Sequence, residues 1–170
     1  MLFRSKIYLI MEMFNNIHNK LDIQSNLELR QMTLSDLAVI KDILTSEFDD
    51  FWNYNVFEEE LKNSNSTYIV AILNSEIIGF AGIWKVIDEA HITNIVTKKS
   101  YRHRGVGTIL LQHLITLCKN SLELKSLTLE VNEENTIAQE LYKKFDFQIL
   151  GKRKKYYNNE QAAIIMTLQL

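Results

Sequence analysis

Regular spacing of hydrophobic residues begins at Leu27 and continues to the end of the chain. Alternating apolar and polar residues predict strands, and apolar residues three and four positions apart predict helices. The resulting order is β-α-α-β-β-β-α-β-α-β-β, which predicts a mixed central sheet flanked by helices in a single α/β domain. We therefore predict one domain at 27–170, preceded by an N-terminal extension at 1–26.

Each predicted element corresponds to a short stretch of sequence. The strands lie in LELRQM, TYIVAILN, EIIGFAGIWKVI, EAHITNIVT, SLTLEV, FQILGKR and AAIIMTLQL. The helices lie in DLAVIKDILTSEF, FWNYNVFEEELKN, the segment after Gly107, and NTIAQELYKKF. Thr33 or Ser35 is expected to cap the first helix, and a residue near Asn55 the second, because short polar side chains accept from free N–H groups. Asn74-Ser75 predicts a hairpin turn.

Composition and charge exclude several classes of protein. Hydrophobic residues make up 46% and charged residues 24% of the 170 residues, which is typical of an ordered globular domain. The net charge of -2 argues against a general nucleic-acid binder, so that any anion site must be local. The single cysteine, Cys118, allows no internal disulfide and favours a reducing, cytoplasmic compartment. No His/Cys spacing indicates a metal site, and no apolar stretch is long enough to predict membrane insertion.

Two glycines stand directly before a predicted helix in SYRHRGVGTILLQHL, residues 100–114, although the whole chain contains only five. Free N–H groups and the helix dipole make a helix N-terminus an anion site, and glycine lets the anion approach the backbone. The pattern from Arg102 to Gly107 is R-x-x-G-x-G. It is not a Walker loop, which has the pattern G-x-x-x-x-G-K-[ST], and it is not a dinucleotide fingerprint, which needs a third glycine.

A carboxylate stands out in the stretch SLTLEV. Leu127, Leu129 and Val131 share one face of the predicted strand, and Glu130 lies on the other. A partly buried carboxylate in that position could act as a general base, although an exposed carboxylate on a sheet face is the simpler alternative.

The glycine motif with its following helix resembles the acetyl-CoA pyrophosphate loop of the GCN5-related N-acetyltransferases (GNAT), and the order of elements from Leu27 onward agrees. Three further segments are similar to the ribosomal-protein alanine N-acetyltransferase branch, the RimI type. They are TLEVNEENTIAQELYKKFDF, DEAHITNIVT and KRKKYYNNEQAAIIMTL. The resemblance implies a GNAT-like fold and an acetyltransferase activity.

The resemblance also implies a binding site for acetyl-CoA and no metal. Ile95, Val96 and Thr97 would pair with the pantetheine arm like an additional strand, and one of their N–H groups could hold the acetyl oxygen. Lys98 and Lys99 could contact the phosphates. The complete implied cofactor set is Ile95, Val96, Thr97, Arg102, His103, Arg104, Gly105, Val106, Gly107, Thr108 and Asn135. Asn135 could equally cap the following helix, and these two roles are compatible.

An α-amine is mostly protonated at neutral pH, so a base must remove its proton and an acid should protonate the leaving thiolate. By resemblance Glu130 is the base and Tyr142 the acid, although Tyr142 could instead be a core aromatic. Cys118 does not compete as a nucleophile, because it lies on the apolar side of its predicted helix. Transfer is therefore expected to be direct.

The acceptor implied by the resemblance is a protein N-terminus, in particular a ribosomal protein that begins with alanine. Trp52, Tyr156 and Tyr157 are candidate substrate-side residues, the tyrosines in a segment read as a loop or turn between the last two strands. The alternatives are a GNAT enzyme for lysine, polyamine or other amines, or a non-catalytic module binding CoA or nucleic acid. The oligomeric state stays open. Asp146 replaces a glycine usual in the family, but aspartate tolerates a left-handed backbone.

Overall fold

The computed structural model describes residues 26–48, 53–157 and 161–170, without the side chains of residues 155–157. Seven strands form one sheet in the order β1-β2-β3-β4-β5-β7-β6. The strands are β1 (Leu27–Gln31), β2 (Ser66–Leu73), β3 (Glu76–Val86), β4 (Glu89–Thr97), β5 (Ser126–Asn132), β6 (Gln148–Tyr157) and β7 (Gln161–Gln169). Neighbouring strands are antiparallel except β4 and β5, which are parallel.

The helices are α1 (Leu34–Ile40), α2 (Leu44–Phe48), α3 (Tyr54–Lys62), α4 (Val106–Thr116) and α5 (Thr136–Lys143). A 3-10 turn, Lys41–Ile43, joins α1 to α2, so the first predicted helix exists in interrupted form and the predicted order of elements is confirmed. Asn53, and not Asn55, caps α3, because its side chain accepts from the Asn55 N–H. Of the described helices, none has the length and apolar character needed to cross a membrane.

Two hydrophobic cores lie on opposite faces of the sheet. On the first face, α4 and α5 pack on the central strands through Val106, Leu110, Leu111, Leu114, Tyr142, Leu127, Leu129 and Val131. On the second face, α1 to α3 pack on β2 and β3 through Leu37, Ile40, Leu44, Phe48, Phe57, Tyr68, Val70 and Phe80. The strict alternation of Leu127, Leu129 and Val131 buries all three on the first face and directs Glu130 to the second.

Two predicted turns have the expected backbone, and one predicted loop is wrong. Asn74 and Ser75 have φ of 50° and 68°, as a two-residue hairpin turn requires, and Asp146 has φ 64°. The end of the basic segment, residues 154–157, was expected to be a loop or turn, but it continues β6 as far as Tyr157. Pairs with β7 on either side of a register shift, Arg153 with Ala163 and Tyr157 with Gln161, hold it in the sheet.

The start of α1 is held by a buried carboxylate. Asp36 accepts two hydrogen bonds of 2.7 Å from the Arg30 guanidinium, one on each oxygen. It also accepts from the backbone N–H and hydroxyl of Thr33, whose Oγ1 in turn caps the Asp36 N–H. The Arg30 hydrogen bonds, assisted by those of Thr33, lower the pKa of Asp36 from 3.8 to about 2.

Asp36→Asn is expected to reduce the free energy of unfolding at pH 7, because it removes the charge that pairs with Arg30. The loss should be only about 1–2 kcal/mol, since Arg30 is partly exposed and solvent screens the pair. The folded-state pKa lies below the unfolded one, so this stabilisation is complete above about pH 4 and is lost as the pH falls through 2. Urea denaturation at pH 7 and at lower pH would measure the difference. Glu28→Gln is the control, since Glu28 meets the same guanidinium at 3.3 Å but is 61% exposed. An equal effect of both substitutions would contradict the prediction.

Candidate active site

The candidate site opens where β4 and β5 separate. These strands are paired at Glu89↔Ser126, Ala90↔Leu127 and His91↔Thr128. Further along, residues 92–97 have no partner on β5 within the described part of the chain, although β4 remains paired with β3 as far as Thr97. A strand edge of this kind presents backbone donors and acceptors to a ligand that lies alongside it. Ile95, Val96 and Thr97 are on this edge.

The glycine loop, residues 102–107, lies at the end of the cleft and begins α4. Gly105 is the N-cap of this helix with φ 88° and ψ 3°, a left-handed conformation that suits glycine. The first helical hydrogen bond runs from the Ile109 N–H to the Gly105 oxygen at 3.1 Å, and no side chain caps the helix. The N–H groups of Val106, Gly107 and Thr108 therefore point out of the first turn, as an anion site requires.

A glycine at position 107 is explained by the space that it leaves for a ligand, whereas Gly105 is explained by its left-handed backbone. A Cβ at Gly107 would lie 3.8 Å from both Leu141 Cδ2 and Thr97 Oγ1, which is ordinary van der Waals contact. The fold therefore has room for alanine, which is a better helix former by about 0.5–1 kcal/mol. The missing Cβ keeps the backbone open to a ligand. This cradle fits a phosphate group of acetyl-CoA.

Basic side chains surround the loop but are not equally available to a ligand. Arg104 lies over the Tyr101 ring at 5.3 Å from its centroid, and Arg102 Nε is 3.4 Å from the Thr97 carbonyl oxygen. His103 is exposed with φ 61°. Lys98 differs from our expectation, because its ammonium group is paired with Glu76 Oε1 at 2.5 Å.

Glu130 faces the second side of the sheet, on the strand that forms the other wall of the cleft. Its side chain is 26% exposed, and Oε1 lies 3.0 Å from Nη2 of Arg153 on β6. On the same face, the hydroxyl groups of Thr128 and Thr167 are hydrogen-bonded at 3.0 Å. The carboxylate is therefore partly buried and paired with a guanidinium, and its role as a base stays a prediction.

Tyr142 and Asn135 are both on α5, which follows β5. Tyr142 is 9% exposed and packs against Phe147 with ring centroids 5.7 Å apart, so the tyrosine is part of the first core, and its role as an acid stays a prediction. Its neighbour Leu141 is the residue that approaches Gly107. Asn135 caps α5, since its Oδ1 accepts from the Ala138 N–H at 3.1 Å. Its amide nitrogen and the second lone pair of Oδ1 remain for the contact with acetyl-CoA that the resemblance implies.

The loop between β5 and α5 is held by Glu133, which the sequence analysis did not single out. One carboxylate oxygen accepts from the Ala162 N–H at 2.8 Å, and the other pairs with Lys152. Lys152 and the Ala162 N–H together lower the pKa of Glu133. Because Ala162 is on β7 and Lys152 on β6, these contacts join the loop that carries Asn135 to both strands.

Some predicted features cannot be placed. Trp52 lies outside the described residues, and so do the side chains of Tyr156 and Tyr157, whose backbone belongs to β6. Their role on the substrate side stays a prediction. Burial raises the pKa of the Cys118 thiol to about 11, which disfavours the reactive thiolate. No group of three or more His, Cys, Asp or Glu side chains in the described ranges could hold a metal ion.

Comparison with known proteins identifies the family. The model of the acetyltransferase (GNAT) family matches residues 37–147, more than half of the chain and all of the cleft described above. The chain belongs to the GNAT acetyltransferase family. This membership agrees with the resemblance seen in the glycine motif, and it makes the protein an acetyltransferase.

Two proteins similar to this GNAT protein are named for the same acceptor, the alanine of ribosomal protein S18. A Bacillus subtilis (strain 168) protein with the provisional name ribosomal protein bS18-alanine N-acetyltransferase is 40% identical over 139 residues, covering 81% of this chain and 91% of the relative. The Escherichia coli ribosomal-protein-S18-alanine N-acetyltransferase has a similar structure, with a TM-score of 0.77 and 27% identity over 84% of this chain and 93% of that chain. A GNAT acetyltransferase from Elizabethkingia anophelis with acetyl-CoA bound shares the fold, with a TM-score of 0.70 and 22% identity over 85% and 99% of the two chains.

Proposed function

We propose that this GNAT enzyme transfers an acetyl group from acetyl-CoA to the N-terminal α-amine of a protein, with a ribosomal protein that begins with alanine as the expected acceptor. The observation that carries the proposal is the cleft between β4 and β5, with a glycine-rich helix N-terminus at its end and Glu130 on its far wall. The names of the B. subtilis and E. coli relatives support the choice of acceptor.

Acetyl-CoA supplies an activated acetyl group as a thioester, and the residues around the cleft suit its parts. The N–H groups of Val106, Gly107 and Thr108 would hold the phosphates, with Arg102 and Arg104 adding positive charge. The free edge of Ile95 to Thr97 would hold the pantetheine arm by backbone hydrogen bonds. A backbone N–H on this edge would stabilise the charge that develops on the acetyl oxygen.

The acid–base chemistry is assigned to Glu130 and Tyr142. Glu130 accepts a proton from the acceptor ammonium group, directly or through water, and thereby frees the nitrogen lone pair for attack. Arg153 keeps the carboxylate in one orientation before the acceptor arrives, since its guanidinium lies at 3.0 Å. The Tyr142 hydroxyl donates a proton to the leaving thiolate. Two protons leave the ammonium nitrogen in total. The first goes to Glu130 and then to solvent, and the second is lost once the N–C bond has formed; as the C–S bond breaks, the Tyr142 proton goes to the sulfur, and the second proton from nitrogen restores the Tyr142 hydroxyl.

The state of the only thiol in the chain supports transfer without an acetyl intermediate on cysteine. Cys118 is completely buried in the first core, and its pKa of about 11 leaves little thiolate at neutral pH. No nucleophilic step at sulfur on the protein is therefore available.

Mass spectrometry after incubation with acetyl-CoA would test the proposal. The acceptors are a peptide with a free N-terminal alanine and an internal lysine, the same peptide with a blocked N-terminus, and spermidine. We expect one acetyl group on the N-terminus of the first peptide and none on the other two. Fragmentation of the product would locate the acetyl group on the peptide.

Each other outcome contradicts a different part of the proposal. Transfer to the lysine or to spermidine alone would preserve the acetyltransferase chemistry but refute the N-terminal acceptor. Absence of transfer to any of a set of free α-amines, in a sample that binds acetyl-CoA by calorimetry, would favour the alternative of a non-catalytic CoA-binding module. Absence of acetyl-CoA binding would refute the assignment of the glycine loop.

A further inference from the structure

Glu76 connects the β2–β3 hairpin to the segment that precedes the glycine loop. It is the first residue of β3, directly after the Asn74-Ser75 turn. Its Oε1 binds Lys98 Nζ at 2.5 Å, and its Oε2 accepts from the Tyr101 hydroxyl at 2.7 Å. Both carboxylate oxygens are therefore occupied by residues more than twenty positions away in sequence.

The contact continues from Tyr101 into the glycine loop itself. The Tyr101 ring lies under the Arg104 guanidinium at 5.3 Å from the ring centroid, a cation–π arrangement. Glu76 fixes the hydroxyl end of the ring whose face supports Arg104. The Lys98 and Tyr101 hydrogen bonds lower the pKa of Glu76, so the carboxylate is ionised and strongly held at neutral pH.

We propose that Glu76 is a positioning residue for cofactor binding, acting through Tyr101 and Lys98 to hold Arg104 and the start of α4 in the arrangement that receives the phosphates. The inference rests on the cofactor half of the proposed function and does not depend on the acceptor. It assigns a role to a residue outside the glycine motif, at the start of β3.

Electrostatics alone predicts that Glu76 weakens acetyl-CoA binding instead of supporting it. A carboxylate close to an anion site repels the anion, and Glu76 also neutralises Lys98, which could otherwise attract phosphate. If only charge mattered, removal of Glu76 would strengthen acetyl-CoA binding. If position matters more, removal would weaken binding, so that the sign of the change separates the two explanations.

Isothermal titration calorimetry of acetyl-CoA would measure this sign. Glu76→Ala is expected to weaken binding about 10-fold, comparable to the loss of one charge-assisted hydrogen bond. Glu76→Gln keeps an acceptor oxygen but carries no charge, so it should recover part of the loss. Tyr101→Phe keeps the ring under Arg104 but lacks the hydroxyl, and should also weaken binding. The double variant Glu76→Ala/Tyr101→Phe should bind no more weakly than Glu76→Ala alone, because both changes break the same connection.

Asp88→Asn is the matched control, since it removes a carboxylate that pairs with Lys125 at 2.5 Å at the next hairpin turn. It should leave acetyl-CoA affinity unchanged. Unchanged or tighter binding by folded Glu76→Ala would overturn the inference while leaving the proposed function intact. If that variant does not fold, Tyr101→Phe decides, and wild-type affinity in it would overturn the inference. Failure of the wild-type protein to bind acetyl-CoA would refute both.

Discussion

Glu130→Gln should lower kcat for acetylation of an alanine peptide by about 100- to 10,000-fold, the usual contribution of a general base. Glutamine has the same shape but cannot accept the ammonium proton, so the acceptor stays protonated and cannot attack. The affinity for acetyl-CoA should change little, because the phosphate and pantetheine groups are assigned to α4 and β4. Steady-state kinetics and calorimetry on the same sample would measure both quantities.

The melting temperature of Glu130→Gln distinguishes a base from a structural carboxylate. Glutamine keeps the shape of the side chain, so removal of a base should lower kcat and leave the melting temperature nearly unchanged. Glu89→Gln is the control, since Glu89 is exposed on β4 at the opposite end of the paired segment. Equal losses of kcat, acetyl-CoA affinity and melting temperature would show that Glu130 supports the fold instead of the reaction.

The elements that the sequence predicted well are those governed by local rules. Alternation alone placed Leu127 and Glu130 on opposite faces of β5, because side chains alternate along any strand. The left-handed backbone at Asp146, with φ of 64°, was expected from the resemblance, because glycine is usual there in the family and aspartate tolerates this conformation. Asn135 as a helix cap followed from its side chain and its place before an amphipathic segment.

The features that the sequence did not predict depend on contacts between distant segments. The separation of β4 from β5 has no signal in the residue pattern of either strand, and a free edge at Ile95 to Thr97 was implied only by the family resemblance. The pairing of Lys98 with Glu76 removes a cation that looked available for phosphate. Residues 154–157 resemble a loop by composition, yet their place between two pairs with β7 makes them part of a strand. In each case tertiary contact overrides a local preference.

Gly107→Ala is the second substitution for which we expect a large effect. It should weaken acetyl-CoA binding and at the same time make the protein more stable. Its Cβ would meet Leu141 and Thr97 only at ordinary contact distance, so the protein should fold normally. Alanine should even raise the free energy of unfolding by about 0.5–1 kcal/mol, because it loses less entropy in a helix. Urea denaturation would measure this gain.

The same methyl group should weaken acetyl-CoA binding about 100-fold, as expected if it displaces the phosphate from one or two charge-assisted N–H bonds. If the fold required this glycine, Gly107→Ala would instead lower the free energy of unfolding and leave the affinity for acetyl-CoA unchanged. Gln112→Ala, an exposed change on the same helix, is the control and should leave affinity unaltered. Retained affinity in Gly107→Ala would remove the argument that this glycine exists for a ligand. Weaker binding in a more stable protein would mean that the chain accepts a less stable helix in order to hold its cofactor.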